Sequence, residues 1–364
     1  MWTDKAKVIK LDTGDRRIIA VSDIHANLPY FKGLLKKLGF GKDDELIIVG
    51  DFLEKGEYSL ATLRFIMELS RQGSCHVLQG NCDGWADALD GERDYWMPRL
   101  VQYMMFRGGG LIWDMLGELG VRVTPELELA PLIPALLERF APELDFLREL
   151  PQVICTKHCI FVHGGIRPDI PIEEQMAGDC MKFDDFMSRG YSFDKWVIVG
   201  HWPVMLYLED HVCANPIIDR ERHVISIDGG CSLKDDGQLN GLIIPHDGSE
   251  AFGFEAYDPF PVRKVRTAQK GSEKSYYIRW GDNDVQVLRR GAEFSLCRHV
   301  RTGYEMEILT KYLYSDEEFC KCNDSTDLIL PLEAGDEVSV VEETGRGYLV
   351  KHKGTSGWYL GELE

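Results

Sequence analysis

A chain of 364 residues with 41 Lys and Arg against 60 Asp and Glu carries a formal net charge of −19, and 44% of it is hydrophobic. That length suits two or three domains and that apolar fraction is ordinary for a folded protein, so disorder is excluded as the default. No run approaches the roughly 18 apolar residues of a membrane span, residues 1–15 lack the apolar core of a signal peptide, and so acidic a chain is a poor generic binder of phosphate backbones. The expectation is a cytoplasmic protein with no membrane and no stable nucleic-acid partner.

From the N-terminus, three β-branched runs each end in a polar cluster: 17–21 before Ser22-Asp23, 45–49 before Gly50-Asp51, and 75–78 before Gly80-Asn81. Each reads as a buried strand. Between the first two, Leu28, Phe31, Leu34, Leu35 and Leu38 repeat at helical spacing behind Asn27, a cap residue, and before Gly39. Strand alternating with helix predicts a parallel α/β core. Residues 84–150 break the alternation with amphipathic stretches at Tyr95 to Met105 and Pro131 to Leu150, interrupted by Arg107-Gly108-Gly109-Gly110, and read as a helical insertion over the sheet edge that packs or caps the substrate. Three further strands follow at 160–162, 196–199 and 223–227, delivering His163, Gly200-His201 and Asp228 at their ends.

Composition changes near Pro259. Residues 260–301 hold ten basic against four acidic side chains, whereas 302–364 hold five against fourteen. The zones predicted are a catalytic domain over 1–259, a basic linker or β-module over 260–307, and a small β-barrel over 308–364, where alternation at 336–341 and 348–351 signals short strands. Leu332 to Asp336 and Gly357-Trp358-Tyr359 resemble the bacterial SH3-like domain, which implies a peptide or cell-wall-like ligand. The ten cysteines show no repeated framework and read as reduced thiols.

Singly, the residues at the six strand ends read as caps, core histidines or turn residues. Jointly they are carboxylate, imidazole and amide oxygen ligands suited to Mn, Fe, Zn or Mg, with no cysteine pairs at zinc-finger spacing. One carboxylate shared by two cations about 3.5–4 Å apart supports a phosphoryl displacement. In this order, Ser22-Asp23-Ile24-His25, Gly50-Asp51 through Gly56, Gly80-Asn81-Cys82-Asp83, His163-Gly164-Gly165 and Gly200-His201-Trp202-Pro203 resemble the calcineurin-like metallophosphoesterases, and within them the phosphoprotein phosphatases, over residues 17–231.

The resemblance implies an αββα sandwich with two divalent metal ions, manganese foremost. Asp23, His25 and Asp51 would hold one, and Asp51, Asn81, His163 and His201 the other. A metal-activated hydroxide would attack phosphorus in a phosphoprotein or small phosphoester. Cys82 stands in the general-acid position, Glu54 in the position that orients that acid, and Asp83 beside them completes the catalytic set. Asn81, Lys55 and Arg167 would bind the phosphate. The family's acid is a histidine oriented by an aspartate, so Cys82 and Glu54 depart from it together. Lys55 replaces an arginine, which loses the bidentate fork, and the segment 181–186 lacks a second arginine that the family has there. Diester-cleaving relatives carry Gly-Asn-Cys-Asp, so a diesterase is the alternative. The rival from another class is a catalytically weakened fold acting as a binding module through its tail. Asp228 reads as a structural turn.

Overall fold

The computed structural model describes residues 4–90 and 93–364, with the backbone alone at 90 and 93–98. The expectations for residues 1–3, for the insertion at 91–92 and for the side chains of the Tyr95 stretch before Arg99 lie outside the described residues. Two compact units make up the chain: Met1–Pro203 with Pro216–Leu233 and Gly237–Asp258, and Val204–Asn215 with Lys234–Asp236 and Pro259–Glu364.

In chain order the first unit runs β1 (Val8–Lys10), β2 (Arg17–Val21), α1 (Leu28–Leu38), β3 (Asp44–Ile48), α2 (Ser59–Arg71) and β4 (Cys75–Val77). The insertion follows as α3 (Trp85–Asp90), α4 (Arg93–Arg107), α5 (Leu111–Glu118), α6 (Ile133–Arg139) and α7 (Ala141–Glu149). Then come β5 (Val153–Cys155), β6 (Cys159–Val162), α8 (Ala177–Met181) and β7 (Trp196–Val199), and, past β8 (Val212–Cys213) of the second unit, β9 (Ile217–Asp219), β10 (Val224–Ser226), β11 (Leu239–Ile244) and β12 (Gly253–Tyr257). They form a six-stranded sheet, β1-β5-β6-β7-β10-β9, and a five-stranded sheet, β12-β11-β2-β3-β4.

The strands read from the β-branched runs pair as strand-helix alternation predicts: β2, β3 and β4 are parallel, and so are β6, β7 and β10. The core is nevertheless mixed, because β5–β6, β9–β10, β2–β11 and β11–β12 are antiparallel. The link from β5 to β6 is too short for the crossover that a parallel pair needs.

Side-chain alternation builds the layers. Ile18 and Ala20 of β2 enter one buried cluster with Ile47, Ile154, Phe161, Ile198 and Ile225, residues of both sheets, so the two sheets face each other. Ile19 and Val21 point the other way, into a cluster with Phe31, Leu34 and Leu63 of α1 and α2 and with Met104, Ile112 and Leu144 of the insertion. The insertion thus packs on the sheet through its apolar side chains, each worth about 1.5–3 kcal/mol when fully buried. On the outer face of the six-stranded sheet, Val153, Val162 and Val197 pack against Cys180 and Phe186, from α8 and the turn after it. Helix α1 has the predicted caps: the Asn27 side chain accepts from Tyr30 N, and Gly39 ends the helix at φ 60°.

The second unit is all β: β13 (Val262–Lys264), β14 (Tyr277–Ile278), β15 (Asp284–Arg289), β16 (Phe294–His299), β17 (Glu305–Leu309), β18 (Phe319–Lys321), β19 (Ser325–Thr326), β20 (Glu337–Thr344), β21 (Gly347–His352) and β22 (Thr355–Tyr359). Its sheets are β13-β20-β21-β22-β8, β17-β16-β15-β18 and the pair β14-β19. The predicted cut at 307/308 falls inside β17, and β13 pairs with β20, so 260–307 is built into the same β structure as the tail and is not a linker. Residues 204–215, assigned by sequence to the catalytic zone, belong here because β8 extends the sheet at β22. The Arg346 guanidinium lies 3.8 Å from the Phe294 ring centroid and 4.4 Å from that of Trp358, a cation–π stack that ties β16 to β22. All ten cysteines are free thiols. Among the described residues, no helix is long and apolar enough to cross a membrane.

Candidate functional site

Every predicted metal ligand sits on a turn at the C-terminal end of a sheet strand or just beyond it. The turns are stitched together, with Asp23 N donating to Gly50 O at 3.2 Å, His25 N to Asp51 O at 3.0 Å and Ala26 N to Phe52 O at 2.9 Å. Asp23, His25, Asp51 and His201 all have φ between 47° and 66°, the left-handed region. Each such residue costs about 1–3 kcal/mol unless its surroundings fix it, and such strain clusters at functional sites. Sequence reasoning missed this feature, since Asp and His are enriched in this region but too common elsewhere to signal it singly.

Two glycines let the strand ends close up. A Cβ on Gly80 would lie 2.2 Å from Asp51 Oδ1, and one on Gly200 would lie 2.3 Å from Asp23 Oδ2. Asp83 accepts from Asp51 N at 2.8 Å, Gly80 N at 2.8 Å and Leu53 N at 3.1 Å. It was expected in the catalytic set, yet both its oxygens are spent on backbone donors. Its role is to brace the Asp51 turn against the Gly80 turn.

Asp23, His25, Asp51, His163 and His201 come together, and Asn81 lies on the turn whose next residue, Cys82, bonds Asp51. His163 Nε2 is 3.3 Å from Asp51 Oδ1, and His25 Nε2 is 3.6 Å from Asp23 Oδ1 and 4.0 Å from Asp51 Oδ2. One donor atom each from Asp51, His163 and His201 lies within 4.8 Å of the others, and the same holds for His25, Asp51 and Cys82. Asp51 belongs to both groups, as a shared ligand must. The His201 backbone N–H donates to Asp23 Oδ2 at 2.9 Å, and Cys82 N donates to Asp51 Oδ1 at 2.8 Å. His163 Nδ1 lies 2.8 Å from Val49 O and His25 Nδ1 lies 3.3 Å from Leu53 O, bonds in which each Nδ1–H donates and each Nε2 is left for the interior.

The residues fit divalent cations. Asp23 Oδ1, Asn81 Oδ1 and His163 Nε2 are buried with no hydrogen-bond partner, an expensive arrangement for polar atoms that a cation would satisfy. The electrostatics agree. Burial works against ionisation of Asp51, but His163, His25 and Lys55 hold its carboxyl well below the usual range. Burial alone would lower the His163 pKa, whereas the Asp51 and Asp23 carboxylates raise it to about 10, the mark of a site whose negative charge favours a cation. Burial and then the Lys55 charge push His25 down to about 3, and burial and then His163 push His201 down to about 4, leaving both imidazoles neutral.

Lys55 is no surface charge. Its Nζ lies 3.4 Å from His25 Nε2, and although burial lowers its pKa, Cys82, Asp51 and Asp23 raise it overall. Asn81 Nδ2 donates to Cys82 Sγ at 3.3 Å, and burial followed by the Asp51 charge keeps the thiol protonated.

Two expectations are corrected. Glu54 does not orient Cys82: its oxygens accept from Leu111 N at 2.7 Å and Tyr103 Oη at 3.1 Å, because the longer side chain reaches the insertion instead. Arg167 is not brought to the ligands by any described contact; its Nε donates to Asp179 Oδ2 at 2.9 Å on a half-exposed surface. Two residues were under-read. Asp228 is a turn residue in that Oδ1 accepts from Gly230 N at 2.8 Å, but Oδ2 is buried without a partner, within electrostatic reach of Asp23. Asp184, in the segment read only for a missing arginine, has Oδ1 2.7 Å from His201 Nε2. Arg189 Nη2 donates to the Asp184 carbonyl at 3.3 Å, which brings a guanidinium to that segment.

The fold and this ligand set define a metal-dependent phosphoester hydrolase. The calcineurin-like phosphoesterase family model matches residues 16–223, and the chain belongs to that family. Among solved structures it is similar to a Saccharomyces cerevisiae protein serine/threonine phosphatase (11% identity, 71% of this chain and 85% of that one, TM-score 0.42). It is also similar to the cold-active protein-tyrosine phosphatase of a Shewanella species (15%, 69% and 82%, TM-score 0.42) and to a metallophosphoesterase from Sphaerobacter thermophilus (18%, 66% and 88%, TM-score 0.36). No curated protein matches the chain.

Proposed function

We propose that this hydrolase works with two divalent cations, manganese foremost, on phosphomonoesters of proteins or small molecules, in the manner of serine/threonine phosphoprotein phosphatases. Asp23, His25 and Asp51 hold one cation, and Asp51, Asn81, His163 and His201 hold the other. The observation that carries this reading is that Asp51 joins both close donor groups, His25–Asp51–Cys82 and Asp51–His163–His201, while Asp23 Oδ1 and Asn81 Oδ1 are buried without partners. When bound, the cations supply an activated water and take up charge on the phosphoryl oxygens. Lys55 offers an ammonium to the same oxygens, Asn81 offers an amide N–H, and the Cys82 thiol, kept protonated beside Asp51, offers a proton. The motif order through Trp202-Pro203 supports the monoesterase reading.

Phosphodiester hydrolysis is the second reading. It is favoured by Glu54 being turned to Leu111 and Tyr103 rather than to Cys82, since an ester with a better leaving group needs less protonation. For the all-β unit we infer an SH3-like role over 308–364, binding a peptide or cell-wall-like ligand; the alternating strands β20 and β21 and the Gly357-Trp358-Tyr359 end support it.

The test is manganese-loaded protein with an aryl phosphomonoester and an aryl phosphodiester, beside Asp51→Asn. Removing a ligand that both cations share should lower kcat/KM by more than about 100-fold, beyond the loss typical of an outer-shell partner. Full activity in Asp51→Asn would sink the metal mechanism. Faster turnover of the diester would select the second reading, and a parent inert on both esters would favour a binding module.

A further inference from the structure

Asp184 lies outside the ligand set inferred above, and its carboxylate is the described side-chain partner of one of those ligands. His201 Nε2 and Asp184 Oδ1 are 2.7 Å apart, within a charge-assisted hydrogen bond. An ionised carboxylate only accepts, so Nε2 carries the ring proton and Nδ1 is the nitrogen with a lone pair to give. The backbone of His201 is fixed independently, since its N–H donates to Asp23 Oδ2 at 2.9 Å. Asp184 is in turn held by its own segment. Arg189 Nη2 donates to its carbonyl at 3.3 Å, Ser188 Oγ donates to Asp185 Oδ1 at 2.5 Å, and Asp185 takes φ 56°.

The geometry points to Asp184 as a positioning residue: it selects the tautomer and the ring orientation in which His201 can ligate a divalent cation. This rests on the metal-centre reading above. A carboxylate behind a ligating histidine raises the basicity of the ring and fixes its direction, and losing such a partner typically costs about 10- to 100-fold in metal affinity. Asp184 is 54% exposed, so its removal leaves no cavity, and the partner it deprives is His201 Nε2.

The experiment is calorimetric titration of Mn(II) into metal-stripped parent, Asp184→Ala and Asp184→Asn, with thermal unfolding of the same three metal-free proteins. The expected result is two sites in the parent and, in Asp184→Ala, one site weakened by about 10- to 100-fold with the other unchanged. Asp184→Asn should fall between, because its amide oxygen still accepts from Nε2–H. The metal-free melting temperatures should coincide. An Asp184→Ala protein that binds both Mn(II) ions as the parent does overturns the proposal alone. A variant in which both affinities and the melting temperature fall together shows a merely structural role and overturns it as well. A parent that takes up no Mn(II) overturns the metal-centre reading, and this one with it.

Discussion

Glu54 is bound by Tyr103, whose hydroxyl donates to Oε2 at 3.1 Å while the first N–H of α5, at Leu111, donates to Oε1 at 2.7 Å. A residue three positions after Asp51, the carboxylate common to both donor groups, is therefore anchored in the helical insertion. Gly110, at φ 125°, accommodates it, since a Cβ there would lie 2.6 Å from Glu54 Oε2.

Burial pushes the Glu54 carboxyl up to about 7 from its ordinary 4.5, against the opposing pull of the Leu111 and Tyr103 bonds. A carboxyl raised in the folded state contributes stability below about pH 4.5 and loses that contribution as pH rises through about 7. The rise from 4.5 to about 7 corresponds to at most about 3 kcal/mol. Glu54→Gln is neutral throughout and can meet both partners. In denaturant titrations of metal-free protein, its stability relative to the parent should improve by up to about 3 kcal/mol between pH 4.5 and pH 8. A constant difference across that range would show that folding does not raise the Glu54 pKa.

The Gly80 turn gives a prediction that separates metal binding from folding. With Asp51 Oδ1 only 2.2 Å from where the Cβ would stand, Gly80→Ala must displace the shared carboxylate or the turn itself. The expected cost is about 1–3 kcal/mol, typical of overpacking a tight site, together with loss of Mn(II) binding at both sites. Calorimetry and thermal unfolding measure the two effects. Unimpaired Mn(II) binding would mean that the strand ends have slack that the distances deny.

Much of this was legible in sequence. β2, β3, β4, β6, β7 and β10 announce themselves because a β-branched run ends abruptly in Asp, Gly or His. The strand-end order of Asp23, His25, Asp51, Asn81, His163 and His201 carries the family signal because only their joint order is specific. The antiparallel pairing of β11 and β12 was not legible, because Asn240 and Gly241 interrupt the apolar run from Leu239 to Ile244. The partners of Glu54 and Arg167 were beyond reach for a different reason. Glu54 meets Tyr103 and Leu111, 49 and 57 residues further along the chain, and Asp179 meets Arg167 twelve residues along it through a loop whose path sequence does not state. The left-handed backbone at Asp23, His25, Asp51 and His201 is imposed by neighbouring turns rather than by the residues themselves.

Lys55 is the cation the site itself supplies, 3.4 Å from His25 Nε2. A charge-assisted bond to a phosphoryl oxygen is worth about 1.5–3 kcal/mol, so Lys55→Ala should raise KM for an aryl phosphomonoester by about 10- to 100-fold. The loss should be smaller for the diester, which carries one charge fewer. Lys55→Arg should retain most of the affinity, since the charge stays and the fork is added. Steady-state kinetics on both esters check this, and equal KM in Lys55→Ala and parent would remove Lys55 from substrate binding.

Cys82 lies on the Asn81 turn with its N–H on Asp51 Oδ1 at 2.8 Å, so a side chain there is carried toward the shared carboxylate whatever its chemistry. Replacing the thiol with imidazole puts a stronger hydrogen-bonding acid at that place. An oriented acid contributes about 100- to 10,000-fold, but Glu54 is committed to Leu111 and Tyr103 and would not orient the ring. Cys82→His should therefore gain only about 10-fold, below that range. The gain should appear in kcat/KM for a poor leaving group such as a phosphoserine peptide, where protonation of the departing oxygen limits the rate. An aryl phosphate, whose leaving group departs unaided, should change little. Measuring both substrates separates acid catalysis from a general change at the metals, because a disturbed centre would move the two in parallel. Parallel changes, or no gain on the peptide, would place the proton donor at a residue other than 82.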